Sequence, residues 1–207
     1  MVKGLFIVFE GLTASGKKSQ IDLLIERLQR DGRQVVKITF PNYETEIARL
    51  TKRADVDSFT QSLIFAADRQ HYQSRIKQLL EKNAVILCDR YSYSNFAYQS
   101  VKGVPLEWLV GLEKNIIKPE IVFFIDVPIS VSFSRVQQSN IEDFTKKEIL
   151  ERLQRERERE NLEKIRAAYL YLSKANFDKQ TEWHVLNGES SELMLHQQIW
   201  DVVSKKL

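Results

Sequence analysis

The stretch Gly11-Leu12-Thr13-Ala14-Ser15-Gly16-Lys17 carries two glycines and a lysine at the spacing G-x-x-x-x-G-K. A loop of this kind holds phosphate. Main-chain N–H groups over Thr13 to Lys17 turn inward at a helix N-terminus, where the helix dipole also favours an anion, and the lysine adds a point charge. One position is out of pattern: the residue that should bring a magnesium-binding hydroxyl is Lys18. Ser19 follows, close enough to reach a phosphate but poorly set to replace the missing ligand.

A second set of residues could grip a planar, polar ring. Phe65 and Arg69 stand four apart in SLIFAADRQHY, so on a helix they share a face. There a flat ring and a guanidinium fork can stack on a base and hydrogen-bond its carbonyl. The same pair also fits a core phenylalanine beside an arginine bridged to an acid near it in space. Ser94 with Tyr98 and Asn95 with Gln99 repeat the spacing, and short amides suit an edge of mixed donors and acceptors. Asp89-Arg90 could hold charged ligands, or simply cap the next helix and pair with each other.

The elements that must position these residues follow from hydrophobic periodicity. Leu5 to Phe9 is a continuous apolar run, the mark of a strand buried on both faces. Ile21, Leu24, Ile25 and Leu28 then recur at helical spacing from near Lys17 until Asp31-Gly32 stops the pattern. Strand, glycine loop and helix make up the unit that the phosphate pattern requires. Four further runs, Val35 to Phe40, Ala84 to Cys88, Ile121 to Val127 and Trp183 to Leu186, predict five strands separated by helices. That alternation implies right-handed crossovers and a parallel α/β sheet, with ligands at the carboxyl ends of the strands. Phe40-Pro41-Asn42-Tyr43 and Asp89-Arg90-Tyr91 fall at two of those ends.

The 207 residues, 43% hydrophobic and 29% charged, predict one globular domain. A formal net charge of +3 is too small to indicate a nucleic-acid polymer as partner. Cys88 is the only cysteine, so no internal disulfide forms. The opening apolar stretch ends at Glu10, too short for a signal peptide or a membrane span, and a cytoplasmic location is expected. His71, His184 and His196 have no metal-ligand spacing, and Trp108, Trp183 and Trp200 fit apolar faces. Leu195, Ile199, Val202 and Val203 predict a last helix packed on the sheet.

Taken in order, FEG-x-x-x-x-GK, the FP pair, F-x-x-x-R on a helix and DRY after a strand resemble the thymidylate kinase family. The likeness runs on through Lys118-Pro119-Glu120 and Arg166-Ala167-Ala168-Tyr169-Leu170. It implies a P-loop kinase that moves the terminal phosphoryl group of ATP to dTMP with Mg2+, on a sheet of order 2-3-1-4-5, with a lid over about 136–160, in a homodimer. It also implies roles. Lys17 and Arg90 act on the transferred group, and Gly11, Leu12, Thr13, Ala14, Ser15, Gly16, Lys18 and Ser19 complete the ATP loop. Arg90, Tyr43 and Arg49 reach the acceptor phosphate, with Phe40 and Pro41 beside the base. Phe65, Arg69, Ser94, Asn95 and Gln99 surround the base, and Tyr98 crowds the sugar against a 2′-hydroxyl. Asp89 orients Mg2+ through its water shell. Within the run Glu151 to Glu160, one or two of Arg152, Arg155, Arg157 and Arg159 close over ATP, with Arg135 as another candidate. Without the resemblance, alternating charges describe a solvated helix face.

No general base is required, because a phosphate monoester has a second pKa near 6 and is already largely dianionic at neutral pH. Catalysis then asks for alignment and for cations. Two residues depart from the family inside the loop: Thr13 replaces an aspartate and Lys18 replaces serine or threonine. These departures leave open a kinase of another nucleoside or monophosphate, and a nucleotide-binding relative that has lost catalysis.

Overall fold

The computed structural model describes residues 4–53, 56–138, 159–175 and 180–207. Its centre is β1 (Leu5–Glu10), in which all six residues are buried. A strand without an exposed face needs partners on both edges. It pairs in parallel with β3 (Val85–Asp89) on one side and β4 (Ile121–Asp126) on the other, while β2 (Val35–Thr39) and β5 (Glu182–Asn187) close the edges. The order is β2-β3-β1-β4-β5, as expected. The fifth strand extends one residue beyond the predicted run at each end.

Alternate side chains of each strand serve two separate cores. Ile7, Phe9, Leu87 and Phe123 pack with Ile21, Leu24 and Leu28 of α1 (Lys17–Arg30) and with the last helix. Phe6, Val8, Cys88 and Phe124 face the other way, toward α5 (Ser92–Val101) and α8 (Arg159–Lys174). Burying each such large side chain contributes about 1.5–3 kcal/mol, so the two layers hold the sheet from both sides. Among the described residues the remaining α-helices are α2 (Glu46–Arg49), α3 (Ser58–His71), α4 (Gln73–Glu81), α6 (Leu106–Leu112), α7 (Ile129–Gln138) and α9 (Glu192–Val203), with a 3-10 turn at Leu50–Lys52. Leu195, Ile199 and Val203 of α9 are buried in the first core, as the periodicity predicts.

This topology places the site. Phe9 and Asp89 are register partners at the carboxyl ends of β1 and β3. From there α1 leaves toward one face and α5 toward the other. The divergence opens a crevice above the sheet, the position where a doubly wound fold binds ligands.

Candidate active site

The crevice contains two cavities. The first, about 790 Å3, is lined by Thr13, Ala14, Ser15, Gly16, Lys17, Lys18 and Ser19, together with Asp89, Arg90 and Arg135. Glycine is required at two points of the loop. A Cβ on Gly11 would come within 2.7 Å of the Ile125 carbonyl oxygen and of Ser15 Oγ, and Gly16 caps α1 with φ +104°. Gly11 and Leu12 do not line the cavity. Their carbonyls instead accept from Lys17 Nζ at 3.1 and 2.9 Å, which ties the ammonium into the loop. The loop is fastened from outside as well. Ser132 Oγ donates to the Thr13 carbonyl at 2.5 Å, and Arg135 donates to the carbonyls of Ser15 at 3.1 Å and Gly188 at 2.6 Å. Arg135 is therefore a clamp between this loop and the end of β5 as well as a cavity residue. Lys18 is exposed at the cavity wall.

The second cavity, about 200 Å3, is made of side chains. Phe40, Pro41, Tyr43, Phe65, Arg69, Arg90, Ser94, Asn95, Tyr98 and Gln99 all line it, so the structure brings together every residue predicted there except one. The exception is Arg49. It is exposed, lines neither cavity, and spends its guanidinium on the carbonyls of Tyr43 at 3.0 Å and Glu44 at 2.7 Å. Its place is to brace the turn that presents Tyr43. The turn is also anchored by buried Asp68, which accepts from Asn42 N at 2.8 Å and Thr45 Oγ1 at 3.0 Å.

Arg69 pairs with an acid, the second of the two sequence readings, and also faces the cavity that the first would require. It lines the cavity, yet its Nε and Nη2 hold the carboxylate of Glu113, and the pair is buried at 3% and 0% exposure. Burial works against the Arg69 charge, and Glu113 more than offsets it, so the guanidinium stays protonated with its pKa above the usual arginine value. Glu113 also accepts from Asn95 Nδ2 at 3.3 Å, fixing that amide. Asn95 Oδ1 and Gln99 Oε1 are buried without a partner among the described residues.

Arg90 joins the two cavities and belongs to both linings. It adopts φ +66°, a left-handed conformation uncommon for arginine, and strain of this kind concentrates at functional positions. Its Nη1 donates to Ser94 Oγ at 3.2 Å. The described residues hold no Asp89–Arg90 ion pair, and Asp89 Oδ1 is buried and unpartnered in the first cavity wall. Beneath lies Glu10, fully buried, which accepts from Tyr91 N at 2.8 Å, Ser94 N at 3.1 Å, Ser94 Oγ at 2.6 Å and Tyr169 hydroxyl at 3.0 Å. It thus caps α5 from a neighbouring strand, meeting N–H groups that the helix itself leaves unsatisfied. Burial raises its pKa, with the Ser94 hydrogen bond and the Arg90 charge pulling the other way.

The residues the sequence reading missed are mostly acids that orient others: Glu10, Asp68 and Glu113. Only Glu10 carried a signal, as a charge ending a wholly apolar run. The predicted lid arginines Arg152, Arg155 and Arg157 lie outside the described residues, as does the side chain of Arg159.

With this geometry in place, likeness to known proteins becomes specific. A family model described as thymidylate kinase matches residues 9–199. The chain is 34% identical to the probable thymidylate kinase of Thermococcus kodakarensis, over 94% of this chain and 95% of that protein. It is 37% identical to the thymidylate kinase of Plasmodium falciparum over 64% of this chain and 66% of that one. Among solved structures, the thymidylate kinase of Candida albicans matches with a TM-score of 0.78 at 21% identity, covering 98% of this chain and 92% of that chain, which is a likeness of fold.

Proposed function

The chain belongs to the thymidylate kinase family, and on that premise we propose that it transfers the terminal phosphoryl group of ATP to dTMP, yielding ADP and dTDP. The observation that carries this reading is Arg90, shared by a phosphate-loop cavity and a ring-sized cavity. The larger cavity takes ATP, with its phosphates on the loop amides and Lys17. In the smaller one the thymine ring lies beside Phe65 and Arg69, with Tyr98 against the sugar. An oxygen of the dTMP phosphate forms the new bond to the γ-phosphorus. The bond to the bridging oxygen breaks, and its electron pair leaves on ADP. The dianionic acceptor has no proton to lose, so the protein's work is alignment and charge cancellation by Lys17, Arg90 and the lid arginines Arg152 and Arg155.

Mg2+ fits this site through one residue and not through another. Asp89 offers a buried, unpartnered carboxylate oxygen on the ATP cavity, whereas Lys18 brings no oxygen ligand where the loop pattern would supply one. Bound beside Asp89, the ion would supply neutralisation of the phosphate oxygens. Thr13 and Lys18 also favour a second reading, an ATP-binding relative without turnover. A second copy of the chain is proposed to cover the exposed Phe59, Leu63 and Trp108 of α3 and α6. The cytoplasm, where ATP and nucleotides are available, is the proposed location; among the described residues no helix is long and apolar enough to cross a membrane.

The test is ADP formation from ATP with dTMP, dUMP, dGMP or no acceptor. Stimulation strongest with dTMP is expected. Absence of stimulation by every monophosphate would sink the proposal, and ATP binding without turnover at high Mg2+ would establish the second reading.

A further inference from the structure

The acceptor cavity is also lined by Gln61 and Lys102, on α3 and just beyond α5. Gln61 Oε1 accepts two hydrogen bonds, from Lys102 Nζ at 3.0 Å and from Gln99 Nε2 at 2.9 Å. An ammonium group can only donate, so Lys102 obliges Gln61 to turn its carbonyl oxygen toward it. That oxygen is then the group Gln99 meets, and Gln99 must offer its NH2 end. Among the described residues, the carbonyl end of Gln99 is left buried and unpartnered in a residue only 1% exposed. Asn95 arrives at the same state by a different route, its NH2 held by Glu113 and the Ser62 carbonyl at 3.3 Å each. Two unmet acceptors in one cavity wall are costly unless a ligand donates to them.

We propose that Gln61 is a specificity-determining positioning residue of the acceptor cavity: held by Lys102, it locks the Gln99 amide with its carbonyl committed to a ring N–H of the acceptor base. Resting on the dTMP reading above, this assigns the pocket to bases whose edge places an N–H beside carbonyls, the imide edge of thymine and uracil. Arg69 Nη1, left over from the Glu113 pair, supplies the donor for a base carbonyl. Cytosine reverses the pattern, with an unprotonated ring nitrogen facing an acceptor. Gln61 touches no reacting atom and acts through Gln99.

The experiment compares the dCMP inhibition constant with the dTMP KM in variants of the full chain, with kcat recorded beside them. In Gln61→Leu the amide of Gln99 is released, and the ratio is expected to fall about tenfold, the worth of one unmet hydrogen bond. KM should move more than kcat. Gln61→Glu keeps an acceptor oxygen facing both donors and should restore the ratio to near that of the parent. Lys102→Met, at an exposed position, loosens the lock and should lower the ratio about two- to threefold even if Gln61→Leu does not fold. A folded Gln61→Leu with the parent's ratio, or an unchanged ratio in Lys102→Met, overturns the relay while the acceptor reading stands. No ADP from the parent with dTMP removes both.

Discussion

The two halves of this site are built by opposite means. The ATP half is made of main chain: the loop from Gly11 to Gly16 presents backbone groups, and its side-chain contacts mostly grip carbonyls, as Lys17, Ser132 and Arg135 do. The acceptor half is made of side chains locked by buried acids, with Glu113 behind Arg69 and Asn95 and Glu10 behind Ser94. A backbone site tolerates changes of residue type, since the amides remain when side chains differ. Thr13 and Lys18 sit in the tolerant half. A side-chain site fails when one buried partner is lost, because the other keeps its charge without compensation.

That contrast can be broken by four measurements. The largest effect belongs to the acceptor half. Glu113→Gln removes the partner of a buried guanidinium and should lower unfolding free energy in urea by about 3–5 kcal/mol, with weakened dTMP binding. A loss under 1 kcal/mol would mean that water reaches Arg69 and that the half is not locked as described. Lys17→Met should act the other way round. Turnover falls about 10²–10³-fold while the urea midpoint stays near the parent's, and a variant that loses stability instead would put Lys17 among the structural residues. Lys18→Thr comes next: restoring the hydroxyl should reduce the Mg2+ concentration at half-maximal activity about two- to fivefold, in keeping with an exposed charge. An unmoved magnesium titration would show Lys18 to be neutral to the metal.

The smallest effect concerns Glu10, beneath the seam between the halves. Its folded pKa is raised, so between the unfolded and folded values the native state binds more protons than the unfolded chain. Its contribution to stability is therefore fullest below the unfolded pKa and is lost as pH rises through the folded one. Glu10→Gln cannot titrate. The parent-minus-variant difference in unfolding free energy should decline over that window, and a flat difference would leave Glu10 with an ordinary pKa.

Much of this was legible in the chain itself. Continuous apolar runs specify buried parallel strands, the glycine spacing specifies a loop that only backbone can fill, and four-residue intervals specify shared helix faces. Those are short-range patterns, and the parallel sheet and the strand-loop-helix unit followed from them, whereas the sheet order and most of the acceptor lining were implied by the likeness to the thymidylate kinase family. The same spacing could not tell whether Arg69 faces a cavity or an acid, and the structure shows that it lines the smaller cavity while it is paired with Glu113.

The sequence by itself determined the strand-loop-helix unit at Gly11 to Lys17 and the residue types available at each strand end, because backbone geometry and periodicity act within a few residues. Only the tertiary structure decided which acid meets which base. Glu113 is 44 positions from Arg69, and Glu10 reaches Tyr169 across 159. Arg49, predicted for the phosphate, turned instead to the nearer carbonyls of its own turn. A long side chain takes the partner that folding delivers, and two buried opposite charges are brought together by the packing of helices that neither charge specifies.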